Sequence, residues 1–200
     1  MHGLINRSIQ SFVVDNYGRT AWVDAALLAD IGFEDFEALL PYDDDLTLRL
    51  LDAIAARLDK PLEDVLEDLG TYLVSHPNLE SLRRLLRFGG RDFNEFLLSL
   101  DDLRDRARLA VPDLDLPELD VASLGGGVFT ASCRWGVEGS SHVLMGILRA
   151  MADDYGELVF LDHVGTQRGV ELVKVTCLES AFAEGRDFDL SAGTTGPPDA

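Results

Sequence analysis

Over the first half of the chain, apolar positions recur every three or four residues, the spacing of helices with one buried face. Leu4, Ile5, Ile9, Phe12 and Val13 form the first such stripe, predicting an opening helix that ends near Tyr17-Gly18. A short helix around 21–29 follows. Positions 46–58 and 62–74 then read as a helical pair joined at Lys60-Pro61; the acidic run Asp43 to Asp45 suits the first helix's N-terminus, and Pro77 stops the second. A short helix over 79–88 closes at Gly89-Gly90. Between Asp92 and Val111 the residues Phe93, Phe96, Leu97, Leu100, Leu103, Ala107 and Val111 predict one amphipathic helix, ending before Pro112.

The period then changes to two. Positions 119–124 and 128–137 alternate as strands do, with Gly125-Gly126-Gly127 as the turn between them. Gly139-Ser140-Ser141 caps a helix whose apolar residues run from Val143 to Tyr155 at helical spacing. A second hairpin is predicted from 158–164 and 170–178 across the turn Gly165 to Gly169. From Phe188 the Gly, Thr and Pro content predicts a disordered tail over 188–200.

One residue violates this pattern. Arg104 falls four residues after Leu100 and three before Ala107, on the apolar stripe. A buried cation there needs an anion, since leaving it unpaired costs roughly several kcal/mol after desolvation. A bidentate contact to a carboxylate suits the planar fork, and Glu138 is the expected partner.

Two hundred residues with 46% apolar content suffice for one compact domain, with room for two subdomains. The 17 basic and 36 acidic residues leave a net charge of −19, which argues against nucleic acid or an anionic membrane as partner. Seven arginines (Arg83, Arg84, Arg87, Arg91, Arg104, Arg106 and Arg108) share one stretch. They read either as a docking face for an acidic partner or as a solvated face neutralised by neighbouring acids. The N-terminus carries no secretory signal pattern, so a cytoplasmic location is expected. Cys133 and Cys177 match no metal-ligand spacing and read as reduced thiols. Asp43-Asp44-Asp45 and Asp101-Asp102 either hold a divalent cation or serve helix starts and surface. No phosphate-binding glycine loop, nucleophile elbow or His-Glu-x-x-His is present, and no catalysis is expected.

The opening Met1-His-Gly-Leu-Ile-Asn6, the helix motif Leu100-Asp-Asp-Leu-Arg104, the following Pro117 and the order of helices, hairpin, helix and hairpin together resemble the haem-nitric oxide/oxygen binding (H-NOX) family. The resemblance covers roughly 1–180. It implies an α+β fold: an N-terminal helical subdomain (1–60) packed on a C-terminal subdomain (61–180) of further helices and a four-stranded antiparallel sheet. It also implies a haem cofactor, whose proximal ligand in the family is a histidine at the position of Arg104. An arginine has five donors and no lone pair, so it cannot ligate iron. The family's Tyr-x-Ser-x-Arg strand motif, which binds the haem propionates, is matched by type at Thr130-Ala-Ser132-Cys-Arg134. Counting back from Gly146 instead places Arg134, Gly136 and Glu138 there. As an extended strand, all five positions share one face and the two registers differ by about 13 Å in height.

Pro117 matches a proline set against the haem plane, although it also serves to end a loop and begin an edge strand. Ile5 matches an apolar pocket residue, although it also belongs to a regular helical stripe. Val143, near the pocket, offers no hydrogen bond to bound oxygen, so a haem there would favour nitric oxide or carbon monoxide. Of His2, His76, His142 and His163, His142 is the candidate substitute ligand because it precedes Val143.

The resemblance implies a bacterial-type, stand-alone sensory protein acting by contact on a histidine kinase, cyclase or chemotaxis receptor. Two alternatives remain open: a haem-free binding module whose cavity is repurposed around Arg104, and a purely structural interaction protein.

Overall fold

The computed structural model describes residues 1–179; the predicted tail over 188–200 lies outside them. Helix α1 spans Gly3–Leu28 and starts at the His2 cap, whose Nδ1 accepts the Leu4 N–H. Gly18, at φ +85°, interrupts it, so the chain runs as two helical pieces meeting where the sequence places an end and a new start. Helix α2 (Asp44–Leu58) is capped by the Asp43 carboxylate, which accepts the Asp45 N–H, and carries Asp44 and Asp45 in its first turn. Helix α3 follows (Leu62–Ser75). Together these helices enclose a first core around Phe12, Trp22, Leu50, Ile54 and Val65.

Beyond a 3-10 turn at Pro77–Leu79 come α4 (Glu80–Arg87), α5 (Phe93–Leu98) and α6 (Leu103–Ala110). The single helix expected over 92–111 is therefore two helices, separated by a 3-10 turn at Ser99–Asp102. Side chains that compete for the backbone explain the break. The Ser99 hydroxyl donates to the Phe96 carbonyl, and Asp101 turns to accept the Val121 N–H of the sheet at 2.8 Å. Phe93, Phe96, Leu97 and Leu100 are buried, whereas past the break Leu103 and Arg104 are only half-buried and Leu109 is exposed.

The sheet has four antiparallel strands: β1 (Glu118–Gly125), β2 (Val128–Arg134), β3 (Leu158–Gln167) and β4 (Val170–Glu179), in the order β1-β2-β4-β3. Strand β2 ends at Arg134 rather than continuing to Val137, so Gly136 and Glu138 lie in a loop and do not share a strand face with Ser132. The second hairpin turns on Arg168 and Gly169 alone, both at positive φ, a two-residue turn that fits strand twist better than the longer turn expected.

Helix α7 (Ser140–Tyr155) joins the two halves. Leu144, Leu148 and Met151 pack on the inner sheet face, with Phe129, Ala131, Val173 and Val175 in a second core. Val143, on another face of α7, packs against the first core. The crossing of α3 and α7 is close because both helices present glycine. A Cβ at Gly70 would strike the Val143 carbonyl, and one at Gly146 would strike the Glu67 carbonyl. The N-terminus of α7 is closed by Glu171 of β4, a buried carboxylate accepting the Gly139 and Ser141 N–H groups at 2.8 Å each.

Candidate functional site

Arg104 stands in the first turn of α6, at the rim of the second core. Its Nη2 lies 2.5 Å from Oδ1 of Asp115, and Arg108, one turn along the same helix, brings its own Nη2 to 3.6 Å from that oxygen. Asp115 sits in the connection from α6 to β1, whose neighbouring Leu114 is buried and whose Val111 N–H returns to the Ala107 carbonyl. Arg104 is thus ion-paired, but Asp115 is the partner. Glu138 is exposed in the loop after β2, because that strand stops four residues short of it. The contact is one-sided rather than a bidentate fork, and the Arg104 Nε is shielded from solvent without a partner.

The propionate-type residues are brought onto one face of β2, but away from the core. Phe129, Ala131 and Cys133 point inward, leaving Thr130, Ser132 and Arg134 on the outer face. There the Ser132 hydroxyl donates to the Asp120 carbonyl (3.2 Å), and Arg134 pairs with Glu118 at 3.0 Å. Both are engaged across the β1–β2 pairing. Pro117 is half-buried immediately before β1. Ile5 and Val143 both pack against the first core, whereas Leu100 belongs to the second. The ring of His142 meets that of His163 on β3.

Beside Asp115 opens a cleft of about 450 Å³, lined by Met1, His2, Leu39, Pro41, Asp44, Asp113, Asp115, Trp135, Gly136 and Val137. Ile5, Leu100, Arg104 and Val143 do not line it; Asp115 is what connects Arg104 to it. Three carboxylates and one indole therefore dominate its wall. The Met1 amine is held there by the Tyr42 carbonyl at 2.6 Å and by Asp44. Reading by sequence missed Asp113, Asp115 and Trp135. The available signal was that two acids stand between Pro112 and Pro117, directly after a helix end that carries Arg104, Arg106 and Arg108.

All seven clustered arginines find partners within the chain. Arg83 binds the buried Asp154, Arg87 stacks 3.5 Å over the Tyr155 ring, and Arg84 and Arg91 pair with Glu80 and Glu95. Arg106 donates to the Ser99 carbonyl at 3.0 Å, and Arg104 and Arg108 share Asp115. Burial pushes the Cys133 and Cys177 thiols up to about 11, so neither is a ready thiolate. Among the described residues no group of three or more His, Cys, Asp or Glu side chains is placed to hold a metal ion. No helix among them is long and apolar enough to cross a membrane.

A family model described as Haem-NO-binding matches residues 2–163. Among characterised proteins, soluble guanylate cyclase 89Db of Drosophila melanogaster is 22% identical over 197 residues, covering 98% of this chain and 27% of that protein. Soluble guanylate cyclase gcy-35 of Caenorhabditis elegans is 32% identical over 105 residues, covering 52% and 15%. The chain thus spans 27% and 15% of the lengths of these two relatives. The Fe(II) unliganded H-NOX protein from K. algicida superposes with a TM-score of 0.77 at 18% identity, covering 90% of this chain and 98% of that one. The S. oneidensis H-NOX protein in its Fe(II)NO state gives 0.75 at 16%, covering 90% and 100%. At such identities the likeness is one of fold: helices set against a four-stranded antiparallel sheet.

Proposed function

The chain belongs to the haem-NO-binding family, and from that premise we propose that it is a sensory domain whose ordinary haem ligation is replaced by protein charge. As a domain of that family it is a sensor and not a catalyst. Its output is contact with a signalling protein such as a histidine kinase, a cyclase or a chemotaxis receptor. The named guanylate cyclases among its relatives favour the cyclase class.

One observation carries the reading. Arg104, which the sequence resemblance sets at the family's ligand position, holds its guanidinium against Asp115, and a guanidinium offers no lone pair to iron. Three further observations support it. Ser132 and Arg134 are engaged by Asp120 and Glu118 on the outer sheet face. The cleft beside Asp115 is walled by carboxylates, which repel propionates. His142, the candidate substitute base, is turned to His163. These residues do not fit an ordinarily ligated haem.

The test is reconstitution with haem followed by visible absorption. Wild-type protein is expected to lack the sharp Soret band of histidine-ligated haem. Arg104→His, which supplies a neutral nitrogen at the same place, is expected to raise haem affinity if the rest of the seat survives. A stoichiometric wild-type band that persists in His142→Ala would overturn the proposal. The cleft favours a second reading: a haem-free binding module that uses this altered cavity beside Arg104 and Asp115. Absence of any gain in Arg104→His supports that alternative.

A further inference from the structure

Away from Arg104, the start of α7 and the strand β3 bring two imidazoles together. His142 lies in the first turn of α7; His163 lies on β3, on the inward face with Leu161, beside an irregularity in the β3–β4 pairing. Their ring centres are 4.6 Å apart with planes inclined at 53°. Nε2 of His163 is shielded from solvent and has no hydrogen-bond partner. A polar nitrogen in that condition is normally satisfied by a protein group, a water or an ion. The nearby carboxylate at this helix end, Glu171, is already committed to the Gly139 and Ser141 N–H groups.

We propose that His142 and His163 form a two-imidazole site for a first-row divalent transition cation of the zinc, nickel or copper class, with water completing its coordination. Neutral imidazole is the ligand type these ions share, whereas magnesium and calcium prefer oxygen. Binding requires a side-chain rotation that sets one nitrogen of each ring about 2.0–2.1 Å from a single ion. The net charge of −19 raises the local concentration of any cation. The site uses neither Arg104 nor the cleft beside Asp115; His142 is the one residue it shares with the haem test, and the metal titrations are run without haem, so the two outcomes are read separately.

The test is calorimetric titration of the full chain with zinc chloride and with nickel sulfate, followed by the imidazole C–H signals in NMR. The terminal amine and His2 offer a competing pair of nitrogens, so the titration is run in a His2→Ala background. One equivalent of metal should bind, moving the His142 and His163 signals and leaving His76 in place. His142→Gln and His163→Gln should each weaken binding by about tenfold or more, at least what losing a supporting group removes at a metal site. Circular dichroism checks that each variant folds. Should His163→Gln fail to fold, the half-exposed His142→Gln carries the decision. Affinity unchanged in the folded variants, a loss confined to only one of two folded variants, or binding that vanishes with His2 would overturn the proposal.

Discussion

At the scale of single residues the decisive contact is Arg104 with Asp115. Its side chains are 32% and 61% exposed, so the pair sits in a screened setting and its coupling is modest despite the short distance. A cycle of Arg104→Met, Asp115→Asn and the double variant should give a coupling of about 0.5–1 kcal/mol in denaturant melts, and this should shrink as sodium chloride is added. The same cycle with Glu138→Gln in place of Asp115→Asn should give none. That Arg104 required a carboxylate was legible in the sequence, because a cation on an apolar stripe has few alternatives. Which carboxylate was not. The choice depended on two backbone events, the 3-10 turn between α5 and α6 and the end of β2 at Arg134, and neither leaves a periodic trace; the Asp101 contact at the turn joins residues twenty positions apart.

Among the elements, the long-period pattern located α2, α3 and α7 closely, since each buries a regular apolar stripe. The pattern failed between Asp92 and Val111, where an unbroken apolar spacing conceals the bonds that Ser99 makes to the Phe96 carbonyl and Asp101 to the Val121 N–H. It was also silent on how near α3 comes to α7. Glycines within helices lower propensity and would normally be read as weak points, yet here Gly70 and Gly146 set the crossing. Gly146→Ala should therefore destabilise the protein by about 1–3 kcal/mol in denaturant melts, the range for overpacking a close contact, although alanine is the better helix former. A stabilised Gly146→Ala variant would show that the contact yields easily.

For the molecule as a whole, the opening Met1 to Asn6 motif, the Leu100 to Arg104 motif, Pro117 and the order of helices, hairpin, helix and hairpin together carried the resemblance to the haem-NO-binding family and its α+β fold, and the family match over residues 2–163 agrees. The cleft of Met1, Asp113, Asp115 and Trp135 was not legible, because it gathers segments more than one hundred residues apart. The wide sharing of α7 has a further consequence. One face of this helix lies in the sheet core, another meets the helical core, and its first turn is tied to β4 through Glu171. Neither half can come apart while the helix stays protected, so opening either one strips the other. Amide protons in the middle of α7, such as that of Leu148, should exchange with deuterium only through global unfolding, at the slowest rate in the chain. Thermal melting should then follow a single two-state transition despite the two separate cores.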